Sequence, residues 1–183
     1  MSRPVVVDAS MAIPLVHAEP GSAVVAARLR QWRASGTRLA VPAQFWLEVT
    51  NVLLRRHRRP GSAVVAALHE LDEIGLETIE SDRPLVLLAL DRAERFGLSM
   101  YDASYLALAE LLDGGLFTDD RELLAAAGSR GIGLDPSGHN LAEVTAAYGV
   151  TSVPTWPDYR AASAWLAKLR AEAREPVGGS ARR

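Results

Sequence analysis

A three-valine run, Val5-Val6-Val7, ends abruptly in Asp8 and, two residues on, Ser10. A short β-branched run of this kind reads as a buried central strand, and a carboxylate at its end stands where open α/β sheets bind ligands. Asp8 is therefore a candidate for chemistry, although Asp and Ser also serve simply to cap a turn. Further acids shift the balance. Glu48 lies in a mostly apolar helical stretch, Asp102 stands at the mouth of another, and Asp119 and Asp120 follow the short run Leu116-Phe117-Thr118. Each is placed where a strand end or a helix would present it to one cavity. Two carboxylates about 4 Å apart repel by about 4 kcal/mol at an effective dielectric of roughly 20, so such a cluster needs a cation. Oxygen-only ligation selects hard ions. That points to Mg2+ or Mn2+ and to phosphoryl chemistry, in which the ion orients an attacking water and stabilises charge on phosphate oxygens.

Composition narrows the field. At 183 residues the chain can build one substantial core but is short for two, and 49% hydrophobic with 23% charged residues is the balance of a soluble globular protein. With no cysteine, disulfides, thiolate metal sites and cysteine nucleophiles are excluded. The amino terminus turns acidic too soon for a secretory signal, and no apolar run approaches a membrane span, so a cytoplasmic protein without membrane contact is expected. A net charge of -2 supplies no global field for nucleic acid, so any such binding must rest on a local patch.

The elements that must position the acids follow from pattern. Residues 11–19 read as a short helix or turn, and Pro20-Gly21-Ser22 opens a helix to about residue 35, ended by Gly36. Residues 38–41 read as a second strand, stopped by Pro42, which suits the first turn of a new helix. On that helix, at about 43–58, Gln44, Glu48, Asn51 and Arg55 recur at i, i+4, i+7 and i+11 and share one narrow stripe. Phe45, Trp46, Leu47, Val49, Leu53 and Leu54 make the rest largely apolar, the inverse of an ordinary surface helix. A buried helix must aim such a polar line at a polar cavity, because an unpaired buried carboxylate is costly. Arg55-Arg56-His57-Arg58-Arg59 closes it.

The eight residues from Pro20 recur from Pro60, read as two similar helix starts rather than a repeat architecture. A helix ending at Gly75, a short edge strand at 77–80 and a helix at 84–96 closed by Gly97 follow. Ser99 and Asp102 have the spacing of a capping box before a helix that is apolar on almost every side. After Gly114-Gly115 come a strand at 116–118, a helix to 127 and a last strand at 132–134. This alternation implies an α/β fold with a mainly parallel sheet and helices on both faces. Beyond it, an extension at 136–174 carries a helix at 157–173 with Tyr159, Trp165, Leu166 and Leu169, expected to pack on the domain or on a partner subunit. Residues 175–183 are expected to be disordered.

In chain order, Asp8-Ala9-Ser10 after the valines, Pro42 through Glu48-Val49-Thr50-Asn51, Tyr101-Asp102-Ala103-Ser104-Tyr105-Leu106-Ala107-Leu108-Ala109, and Thr118-Asp119-Asp120-Arg121-Glu122-Leu123 resemble the motifs of the PIN domain. The likeness is nearest to VapC-type ribonuclease toxins of bacterial toxin-antitoxin pairs and covers about residues 5–134. It implies a PIN-like three-layer α/β/α nuclease domain at 1–135. It also implies a Mg2+- or Mn2+-dependent endoribonuclease, usually a homodimer, inhibited by a cognate antitoxin whose tail enters the active site. Carried over by position, the metal-site acids would be Asp8, Glu48, Asp102 and Asp120, with Ser10, Asn51 and Thr118 as supporting polar groups. The tail beyond Pro136 makes the chain longer than compact toxins of this kind.

Other readings lack a needed residue. A receiver-type module requires a pocket lysine, but the one lysine is Lys168 in the tail. A haloacid-dehalogenase-type phosphatase wants a second Asp where Ser10 stands, and residues 8–14 hold no glycine for a dinucleotide-binding turn. A PIN nuclease for RNA maturation or DNA, or a catalytically degenerate RNA- or protein-binding module, stays open. Asp119 is expected to N-cap the following helix in a box with Glu122, leaving Asp120 at the first helical position and free for metal, although Asp119 could share that task. Arg55, on the Glu48 stripe, is the candidate for guiding an RNA backbone.

Overall fold

The computed structural model describes residues 3–17 and 22–134; the expected extension, its helix at 157–173 and the expected disordered end lie outside the described residues. Val5–Val7 forms strand β1, wholly buried, and the chain passes directly into helix α1, Ala9–Val16. Helix α2 (Ser22–Ala34) returns to strand β2 (Leu39–Pro42), and α3 (Phe45–Asn51) and α4 (Gly61–Asp72) lead to strand β3, Glu77–Ile79. Then come α5 (Arg83–Phe96), α6 (Met100–Leu111), strand β4 (Gly115–Phe117), α7 (Arg121–Ala127) and strand β5, Gly131–Ile132. The strands form one parallel sheet in the order β3-β2-β1-β4-β5, so the expected three-layer α/β architecture is the one found. No helix among the described residues is long and apolar enough to cross a membrane.

Strand order explains where a site must form. The chain builds outward from β1 through β2 and β3, then crosses to β1's other side for β4 and β5. The connections therefore diverge at the carboxyl ends of β1 and β4, leaving a crevice at the point where such sheets bind ligands. Asp8 and Thr118 are the first residues beyond those two strand ends. Under the sheet lies α6, whose seven residues from Ala103 to Ala109 are all buried and which packs on β1, β2 and β4. Strands of four residues or fewer hold register here because they share one buried apolar core with that helix and its neighbours, Trp32 of α2 packing edge-on against Phe117 of β4.

Two expected elements differ. Pro42 is the last residue of β2, paired with Ile79, and Ala43 supplies the next N–H to Ile79 O at 3.0 Å. A proline without an N–H is tolerated at that strand end, and the helix begins only at Phe45. The expected single helix at 43–58 changes hydrogen bonding after Asn51: Val52–Arg56 is a π-helical turn, with His57 N–H reaching Val52 O at 3.1 Å. The wider turn rotates each residue less than an α-helix does, so Arg55 drops behind the Glu48 stripe. At its end Arg59 Nη1 donates to Val16 O at 2.6 Å and the rings of His57 and His17 lie 3.9 Å apart. These contacts fasten the turn to the end of α1.

Gly114 makes the closest backbone approach. A Cβ there would stand 2.6 Å from the carbonyl oxygen of Pro4, at the point where Gly115 N–H donates to that same oxygen at 2.9 Å. Gly114→Ala must push β4 away from β1, and a loss of about 1–3 kcal/mol is expected from such overpacking. Urea unfolding measures it; an unchanged midpoint would show that the two strands separate freely.

Candidate active site

Asp8 occupies the N-cap position of α1 with extended backbone, yet its side chain makes no capping hydrogen bond. Only 6% exposed, it instead accepts from Ser10 Oγ at 2.5 Å and from Thr118 Oγ1 at 2.8 Å, both on Oδ2. Each hydroxyl gives its one proton to Asp8 and accepts from backbone in turn: Asp119 N–H donates to Ser10 Oγ at 3.2 Å and Asp120 N–H to Thr118 Oγ1 at 3.0 Å. An N–H can only donate, so the direction of both relays is fixed. Burial pushes the Asp8 carboxyl above the usual carboxylate range, and the two hydroxyls oppose that rise.

Glu48 reaches the same crevice from α3. The hydroxyl of Tyr105, on the buried face of α6, donates to Glu48 Oε2 at 2.5 Å. Burial raises the Glu48 carboxyl, the Tyr105 bond opposes this, and the charges of Asp8 and Asp102 add to the rise. Acids at the end of β1 and in the first turn of α6 therefore both bear on Glu48 of α3. Tyr105 is fully buried, and burial together with Glu48 and Asp8 holds its phenol far above the usual range, so it keeps its proton. Asp102 lies in the first turn of α6, where Ser99 Oγ accepts its N–H at 3.1 Å and donates to its Oδ2 at 2.7 Å. The expected cap at Ser99 is present. Its carboxylate partner takes the hydroxyl proton rather than the backbone N–H of Ser99.

The remaining stripe residues part company. Gln44 ties α3 to its neighbours, donating to Ser104 Oγ and accepting from Ser81 Oγ. Asn51 and Arg55 are exposed further along. The surrounding helix is less buried than its composition implied: Phe45, Val49 and Leu53 face the core, but Leu47 is 73% exposed. The expected N-cap of α7 at Asp119 is found one residue later. Asp120 is the N-cap of α7, its Oδ1 accepting Leu123 N–H at 2.8 Å, while Asp119 is exposed. The Thr118 hydroxyl draws the Asp120 N–H back toward β4 and keeps that residue extended, which delays the helix by one residue. No role for Tyr105 follows from the sequence around it. Nothing in a helical run of apolar residues marks one buried phenol as a partner for an acid some sixty positions earlier.

The donor set suits a hard divalent cation: carboxylates and hydroxyls, with no thiol. Among the described residues no basic side chain pairs with Asp8, Glu48 or Asp102, so the repulsion that Asp8 and Asp102 exert on Glu48 is uncompensated. Nor do any three acids among the described residues close tightly enough to form a metal cage by themselves. The coupling runs pairwise through Glu48.

The family model of the PIN domain matches residues 5–129. A protein of solved structure, PAE2754 from Pyrobaculum aerophilum, is 30% identical, with a TM-score of 0.54 over 79% of this chain and 90% of that one. The sarcin-ricin-loop-cleaving toxin VapC20 of Mycobacterium tuberculosis shares the fold at 19% identity, with a TM-score of 0.54 over 67% of this chain and 94% of its own. No protein of curated function matches the sequence.

The buried acids set a pH dependence for the metal-free protein. Between the ordinary carboxyl value of 3.8 and the raised value of folded Asp8, the native state keeps a proton that the unfolded chain has lost. Stability is therefore fullest below that window and falls as pH rises through it, with Glu48 adding in the same sense from 4.5 upward. Asp8→Asn should raise the thermal midpoint at pH 7 in EDTA and flatten this dependence. A lower midpoint would show that the charged carboxylate is stabilising where it stands.

Proposed function

The chain belongs to the PIN-domain nuclease family, and from that premise we propose that it is a Mg2+- or Mn2+-dependent endoribonuclease, the toxin of a toxin-antitoxin pair acting in the cytoplasm. One observation carries the reading: Glu48, with Asp8 and Asp102 each raising its carboxyl, stands at the sheet's switch point, and all three carboxylates have hydroxyl partners and no counter-cation among the described residues. Asp8, Glu48 and Asp102 would hold the ion, with Asp120 at the exposed rim. A bound divalent ion supplies charge for phosphate oxygens and acidifies a water at neutral pH. Ser10 and Thr118 fix the Asp8 carboxylate, and Tyr105 fixes Glu48 through Oε2, leaving Oε1 to face a ligand or take a proton from the attacking water. The exposed apolar side chains of Leu47, Val86, Met100 and Tyr101, on adjoining helices beside the crevice, support a covering protein surface. A homodimer partner and a cognate antitoxin are the proposed occupants of that face and of the crevice.

Incubating the protein with single-stranded RNA and Mn2+ or Mg2+ tests the activity. Cleavage is expected with either ion and none in EDTA. Asp8→Asn and Glu48→Gln should lower the rate by at least about a hundredfold, the upper range seen when even an outer partner of a ligand is lost. Asp120→Asn keeps an N-cap and should lower the rate with little change in stability. Undiminished cleavage under chelation, or by Asp8→Asn, would sink the proposal.

Arg55 remains the proposed RNA contact, supported now by its exposure rather than by the stripe. Arg55→Ala should weaken RNA binding evenly across sequences and lower the slope of log affinity against log salt by about 1. An unchanged slope would remove Arg55 from the RNA path.

A further inference from the structure

We propose that Tyr105 is a positioning residue for the metal site, its buried hydroxyl fixing the Glu48 carboxylate in the orientation that receives the cation. The proposal rests on the metal-dependent reading above and concerns this chain's own residues within it.

Packing alone does not call for a phenol at this position. Tyr105 is fully buried in a segment, Ala103 to Ala109, otherwise made of alanine, leucine and one serine, where phenylalanine would fill the same space. A buried hydroxyl is costly unless paired. The partner that Tyr105 has is the Glu48 carboxylate, 57 residues away in sequence and on another helix.

The chemical nature of the donor is equally telling. Arginine or lysine at this place would orient Glu48 but neutralise it, and so compete with the cation. A phenol that keeps its proton orients the carboxylate and leaves its charge in place. The same solution recurs at Asp8, held by Ser10 and Thr118, and at Asp102, held by Ser99. Partners of metal ligands that act this way are worth about 10–100-fold in metal affinity.

The test titrates Mn2+ alone, without RNA, into wild type, Tyr105→Phe, Glu48→Gln and the double variant by calorimetry, with melting in EDTA and RNA kinetics alongside. Tyr105→Phe should bind Mn2+ about 10–100-fold more weakly and lower kcat, with KM for RNA unchanged. The double variant should bind no worse than Glu48→Gln, since Tyr105 acts through Glu48. In the wild type, the Tyr105 ring-carbon NMR signal beside the hydroxyl should shift on adding Mg2+, a readout that needs no variant to fold. Wild-type Mn2+ affinity in Tyr105→Phe, full additivity with Glu48→Gln, or an unmoved Tyr105 signal overturns the proposal. Failure of wild type to bind Mn2+ overturns the metal reading itself, and this inference with it.

Discussion

Uncompensated negative charge at the carboxyl edge of the sheet is the constraint on which the rest of this structure depends. Asp8 is buried, it and Asp102 both bear on Glu48, and every side-chain donor holding these carboxylates is a neutral hydroxyl. A protein that needed only stability would put arginine there, as it does elsewhere: Arg92 on α5 pairs with Glu110 on α6 at 2.7 Å. Holding these acids out of water costs stability in the folded state: burial raises the carboxyls of Asp8 and Glu48, and the charges of Asp8 and Asp102 add to the rise at Glu48. Such a cost is tolerated where a ligand of opposite charge is to be bound.

The topology makes that cost bearable. Because β1 and β4 are neighbours, the hydroxyl beyond one strand reaches the carboxylate beyond the other, and Thr118 bonds to Asp8 across 110 residues of sequence. The same hydroxyls then collect the N–H groups of Asp119 and Asp120, so the turn into α7 is built on the acid itself. Site and scaffold are one hydrogen-bonded unit. The strands contribute few hydrogen bonds of their own, three residues in each of β1 and β4, and their alignment relies on the buried α6 beneath and the close backbone approach at Gly114.

Much of this was legible from local pattern. The valine run ending in Asp8, the apolar helix behind Ser99 and the strand before Thr118 each carry their own boundary signals, and the parallel sheet follows from their alternation. The failures share a cause: a non-local contact overrode the local rule. Pro42 belongs to β2 because Ile79 pairs with it, and the helix after Asn51 widens where Arg59 and His57 meet the end of α1. Asp120 rather than Asp119 caps α7 because Thr118, already committed to Asp8, holds its N–H. The Tyr105–Glu48 bond had no local signature at all, since both residues lie in stretches whose apolar neighbours explain their burial.

The cap at Asp120 leaves room for a ligand on the same carboxylate. A carboxylate has two oxygens, and in each acid of this crevice the side-chain and capping donors fall on one of them: Oδ2 of Asp8, Oε2 of Glu48, Oδ2 of Asp102 and Oδ1 of Asp120. One tethered oxygen sets the plane of the group, and the second keeps lone pairs for a ligand. For Asp120 the tether is a backbone N–H at a helix start. A cap is thus a means of aiming a carboxylate. The acid read from sequence as free of structural duty is instead held by that duty, as Asp8, Glu48 and Asp102 are held by their hydroxyls.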